Sequence, residues 1–229
     1  MGTSQAGRFF QVYIFIVAIN IGIYILQVLS GVDPTSPRGD HLIAWGANYA
    51  PFTLNGQGQR LFTSMFLHGG LLHLALNMYM LVQLGGLVER TFGHLRFTLV
   101  YVLSGLFGGL ASALWNMSLP IPALSVGASG ALMGITGALL AHVLVAGARG
   151  EQHEVISLRG PLAQTIAINL GLGFMIPQID NAAHVGGLVS GALLGGAFAL
   201  AGSGAGAAGR AAATATIVAA SLALLYALV

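Results

Sequence analysis

GASGALMGITGALLAHVLVA, residues 127–146, holds one serine, one threonine and one histidine in an otherwise apolar run with no charge. A helix needs about 20 mostly apolar residues to cross the hydrocarbon layer of a bilayer. The run meets that length, so it reads as a membrane span. The rest of the chain agrees: of 229 residues, 56% are hydrophobic and 6% charged, and 34 are glycine. Too few polar residues are present to clothe a water-soluble domain, and abundant glycine suits helices packed closely in lipid. Eight arginines, no lysine and six acids give a net charge of +2, too sparse for a nucleic-acid face. Cysteine is absent, which excludes disulfides, a thiolate nucleophile and zinc–sulfur sites.

Working outward, seven stretches are long and apolar enough to span: 9–29, 61–84, 97–115, 128–146, 162–176, 182–201 and 211–229. The first follows a short polar start with Arg8 and is longer than a signal-peptide core, so it is expected to stay uncleaved. The fifth is short and bounded by Pro161 and Pro177. The loop between the first two spans is rich in Gly, Pro and Asn; its Trp45, Tyr49 and Phe52 suit an element lying at the membrane interface. A glycine-rich connector at 202–209 sets the last span apart, giving a six-helix core over 1–201 and an added segment over 202–229. With a cytoplasmic N-terminus, Arg8, Arg90, Arg96, Arg149, Arg159 and Arg210 lie inside and only Arg38 and Arg60 outside, which is the positive-inside pattern. Spans two, four and six then all run from outside to inside.

That orientation brings two polar residues to one depth. Ser129 opens span four within Gly127-Ala128-Ser129-Gly130, and His184 opens span six within Ala183-His184-Val185-Gly186-Gly187. Polar groups in hydrocarbon are costly and tend to be functional. The bland alternatives are a serine bonded back to its own helix and a structural histidine. Gly130, Gly134 and Ala138 recur every four residues, as do Ala183, Gly187, Gly191 and Gly195, so the two spans can approach closely. On span two, His73 and Asn77 share a helix face. Both donate hydrogen bonds without carrying charge, which suits either stabilisation of an oxyanion or polar contact between helices. The His68–His73 spacing is not that of a zinc-binding helix, and no His-Glu-x-x-His occurs. Spans two, four and six carry no carboxylate, and Asp33, Asp40 and Asp180 fall in outer loops or at span edges. Metal-dependent and aspartyl hydrolysis are therefore disfavoured, and no cofactor or metal is expected.

Taken in order, His73-x-x-x-Asn77, Gly127-Ala-Ser129-Gly130 and Ala183-His184-Val-Gly-Gly187-x-x-x-Gly191 resemble the rhomboid family of intramembrane serine proteases. The resemblance runs from about 60 to 195, and Phe62-Thr-Ser-Met-Phe-Leu-His68 and Leu87-Val-Glu89-Arg90-Thr-Phe-Gly93 also fit it. It implies an all-α polytopic membrane protein with a six-helix core, and the extra C-terminal span resembles the six-plus-one branch of the family. It further implies a dyad without a third, acidic member: Ser129 as nucleophile and His184 as general base. The Ser129 backbone N–H with the His73 and Asn77 side chains would form the oxyanion hole. The implied substrates are transmembrane segments of other proteins, cut near the outer face of the bilayer, with residues 175–181 as a cap over the site. Silent relatives that bind membrane clients lack the serine or the histidine, and this chain has both. A bacterial inner membrane is the expected location.

Two positions depart from the family pattern: Gln59 precedes Arg60 where tryptophan is usual, and Met133 stands where tyrosine often follows the serine by four. Asp180, four residues before His184, is expected to cap the helix rather than complete a triad. Glu89-Arg90 is expected to be an interfacial ion pair or a loop anchor.

Overall fold

The computed structural model describes residues 11–150, 156–176, 178–202 and 206–228. Arg8, the first two residues of the 9–29 run, Pro177 and part of the 202–209 connector lie outside them. The chain begins with α1 (Val12–Leu29), then crosses an ordered loop containing α2 (Gly39–Ala44), α3 (Ala50–Thr53) and α4 (Arg60–Thr63). Long helices follow: α5 (Leu71–Phe92), α6 (His94–Met117), α7 (Ser129–Ala148), α8 (Arg159–Met175), α9 (Asn181–Gly202) and α10 (Ala207–Leu228). Among the described residues, six helices are long and apolar enough to cross a membrane. With 17 residues, α8 reaches the lower limit for a span. The protein is an all-α polytopic membrane protein, a six-helix core with a further helix at its C-terminal end.

Small residues set the packing at its centre. A Cβ on Gly187 would lie 2.0 Å from the Gly130 carbonyl oxygen, one on Gly191 2.1 Å from that of Gly134, and one on Gly195 2.4 Å from that of Ala138. The three pairs advance together, so α7 and α9 run parallel with their backbones in contact, as the two glycine rows lead one to expect. α6 closes the group: a Cβ on Gly108 would meet the Ala183 carbonyl at 2.8 Å, and one on Gly134 would strike the Ser104 hydroxyl. Lipid-facing side chains such as Leu72, Phe174 and Leu193 stay exposed on the outside.

The structure corrects the second span. Residues 61–66 are not the start of a long helix but a short α4 and a 3-10 turn (Ser64–Phe66), and α5 begins only at Leu71. The cause is the Gly69-Gly70 pair. Gly70 has φ +122°, and a Cβ there would come within 2.6 Å of the Thr35 carbonyl, so the chain turns where only glycine fits. The Leu71 N–H then donates to the Pro34 carbonyl (2.8 Å). His68 consequently sits in the turn and not in the helix.

The far end of α5 brings a second correction. The helix continues to Phe92 and carries a carboxylate after all, Glu89, which is buried. It accepts hydrogen bonds from the N–H groups of Val12 (2.8 Å) and Tyr13 (3.0 Å) and pairs with His94. The first N–H groups of a helix have no intrahelical acceptor and attract negative charge. Glu89 therefore anchors the start of α1, and its partner is that helix end and not Arg90.

The loop between α1 and α5 is folded, with a short antiparallel pair between β1 (Asn48–Tyr49) and β2 (Leu124–Ser125). Arg60 ties it down through the carbonyls of Ile43 (2.8 Å) and Ala47 (3.0 Å), with its guanidinium over the Phe52 ring. The Thr63 hydroxyl donates to the Gly46 carbonyl (2.7 Å). Gln59 is exposed beside this knot and takes no part in holding residues 43–47.

Candidate active site

Ser129 is the first residue of α7. At that place its backbone N–H has no acceptor within the helix and points out of the helix end, where the dipole favours negative charge. The preceding turn depends on Gly127, with φ +119°. The Gly127 N–H donates to the Ser64 carbonyl (2.9 Å), joining this turn to the one before α5.

His184 lies in the first turn of α9 and is 4% exposed. Gly130, next to Ser129, has its nearest foreign atom in the Ala183 carbonyl, next to His184, and the Gly130–Gly187 contact continues the seam. The starts of α7 and α9 thus meet at the same end of the molecule. Among the described residues no hydrogen bond joins Ser129 to His184, and the buried His184 Nδ1 has no partner.

His73 approaches from α5. The Gly69 N–H donates to its Nδ1 (3.1 Å), so the neutral ring carries its hydrogen on Nε2. That Nε2 flanks Gly127, where a Cβ would come within 2.8 Å of it. A neutral donor is thereby held beside the turn that leads into Ser129. Asn77 is turned toward its own helix. One N–H of its amide goes to the His73 carbonyl (2.8 Å), and its Oδ1 is buried without a partner. The His68 ring lies edge-on to His73 with centroids 5.2 Å apart, and burial pushes its imidazole down to about 3. It therefore supports His73 as a neutral, packed group. A small cavity borders the site, lined by Ser64, Ser125, Gly127, Ser129 and Ala183 among others.

Asp180 caps α9. Its Oδ1 accepts the Ala183 N–H (3.0 Å), and its Oδ2 accepts the Ser112 hydroxyl of α6. Spacing alone gave no sign of Ser112 as a partner, because 68 residues separate the two. Met133 is buried on α7. Among the described residues no three of His, Asp and Glu converge as a metal site would require.

Against known proteins, a model of the rhomboid domain matches residues 55–201, more than half of the chain. Over 196 residues the chain is 35% identical to the rhomboid protease GluP of Bacillus subtilis (strain 168), covering 86% of this chain and 36% of that protein. It is 34% identical over 202 residues to the rhomboid protease AarA of Providencia stuartii, covering 81% of this chain and 71% of that protein. With RHOMBOID-like protein 1 of Arabidopsis thaliana it shares 42% identity over 141 residues, 62% of this chain and 34% of that protein. The chain thus spans about a third of the length of GluP and of the plant relative. The matched segment contains His73, Asn77, Ser129 and His184, and on the extent of these matches the chain belongs to the rhomboid family.

Proposed function

We propose that this protein is an intramembrane serine endopeptidase that cuts transmembrane segments of other membrane proteins with a Ser129–His184 dyad. The reading is carried by the backbone contact of α7 and α9, whose tight register starts beside both residues. Ser129 Oγ attacks the scissile carbonyl carbon while its proton passes to His184, and the carbonyl oxygen becomes an oxyanion. That oxygen receives the Ser129 N–H, the His73 Nε2–H and an Asn77 N–H, three neutral donors in a low-dielectric setting. Collapse expels the amine, which takes its proton from His184. A water activated by the same imidazole then releases the acyl half.

The arginine bias supports a cytoplasmic N-terminus, with the site toward the outer face of a bacterial inner membrane. The partners are the lipid bilayer and transmembrane substrates. The test is cleavage of a model transmembrane substrate in liposomes by wild type, Ser129→Ala and His184→Ala. Each variant should lose at least about 10³-fold in rate. Equal cleavage by wild type and variants rejects the dyad. A wild type that binds the substrate without cleaving it would make the chain a silent, client-binding member.

A further inference from the structure

The dyad has no hydrogen-bonded acid. His184 Nδ1 is buried and unpartnered, yet the proposed reaction puts a positive charge on this ring. An imidazolium in a low-dielectric site is costly unless a fixed opposite charge lies near it. Asp180 stands one helical turn before His184, and its backbone carbonyl accepts the His184 N–H (3.1 Å). From α5, the titratable His73 reaches the turn that leads into Ser129. With its Nδ1 occupied as an acceptor, His73 is neutral and supplies no counter-charge.

Asp180 is held unusually firmly. One oxygen takes the Ala183 N–H and the other the Ser112 hydroxyl. Ser112 is held in turn by Asn116, whose Nδ2 donates to the Ser112 carbonyl (3.0 Å) and hydroxyl oxygen (3.2 Å). The Asn116 Oδ1 accepts the Ala123 N–H (3.3 Å), so the chain of contacts ends in the backbone of the loop after α6. Ser112 and Asn116 are both buried. A helix cap alone needs none of this support from α6.

We infer that Asp180 is a positioning residue, its carboxylate fixed by Ser112 and Asn116 of α6 as the counter-charge to the imidazolium formed on His184. The inference rests on the dyad reading. It acts through space and not through a bond to Nδ1, so Asp180 is no third member of a triad.

Charge and cap can be separated, because asparagine caps a helix about as well as aspartate. The experiment follows the pH dependence of Ser129 labelling by a fluorophosphonate, in which Oγ bonds to phosphorus and fluoride leaves. The full-length chain in detergent is compared as wild type, Ser129→Ala, Asp180→Asn and Ser112→Ala, with melting temperatures measured alongside. Without the negative charge the imidazole releases its proton more readily. The acid limb of the Asp180→Asn profile should therefore move down by about half to one pH unit, and a weaker base should label about 3–10-fold more slowly on the plateau. Ser112→Ala, which frees the carboxylate without removing it, should shift the limb in the same direction by less. An Asp180→Asn limb that coincides with wild type overturns the inference even if the melting temperature falls, leaving a cap only. Should Asp180→Asn not fold, an unshifted limb in Ser112→Ala overturns it instead. A wild type that labels no faster than Ser129→Ala rejects the dyad itself, an outcome visible before any change at Asp180.

Discussion

At Gly127 one missing side chain makes room for another residue's ring. The position has φ +119°, and a Cβ would overlap the His73 imidazole at 2.8 Å, so alanine is excluded by both backbone and space. Gly127→Ala should displace the His73 donor and lower kcat by about 10²-fold with KM little changed, as loss of an oxyanion contact does. A parallel rise in KM with kcat intact would separate His73 from the reaction. His68 gives a pH signature of a different kind. Its imidazole has an ordinary value of 6.5 and is held at about 3 in the fold by burial, with a smaller effect of His73. The unfolded chain binds the proton first, so the contribution of neutral His68 is complete above pH 6.5 and declines as pH falls from there toward 3. In His68→Gln the melting temperature should fall less steeply than wild type between pH 7 and pH 4. An equal slope would mean that other groups govern acid lability.

Among the elements, the helices themselves were legible in the sequence, because runs of about 20 apolar residues have few other uses. Their ends were less so. The Gly69-Gly70 turn lies among apolar residues, and hydropathy does not register that the helix is interrupted there. Glu89 was legible as an anchor, but its partners were not, because Val12 and Tyr13 lie 77 and 76 residues away. The meeting of α7 and α9 could be foreseen from their glycine rows; α6 carries a similar row, Ser104, Gly108 and Ser112, whose two serines made it less conspicuous. Two substitutions on α9 test the packing. A Cβ on Gly187 would meet backbone at 2.0 Å, and one on Gly196 would touch only the Ala141 side chain at 3.8 Å. Gly187→Ala should destabilise the protein by about 1–3 kcal/mol, as overpacking does, and Gly196→Ala should be neutral or slightly stabilising. Similar melting temperatures for the two would contradict the backbone contact. Glu89→Ala, which orphans two N–H groups of α1, should destabilise by about 1–3 kcal/mol.

For the whole molecule, α10 stands apart as a mostly exposed helix with a local attachment. Arg96 of α6 donates to the Thr214 hydroxyl (3.1 Å) and the Arg210 carbonyl (3.2 Å), and its guanidinium lies over Phe198 of α9. This footing is remote from the site, which favours the proposed division at 201/202. A chain ending at Gly202 should keep fluorophosphonate labelling within about threefold of the full chain, as expected when few contacts cross a boundary. A loss of tenfold or more would make the seventh helix part of the functional unit. The seam of α7 and α9 also bears on how the molecule tolerates change. Where peptide touches peptide, no rotamer can lengthen or shorten the gap, and neither thermal jostling of side chains nor turnover of lipid-facing residues reaches it. The spacing of Ser129 and His184 is set like the gauge of a railway track, by rigid ties, and the rest of the surface is free to drift without altering it.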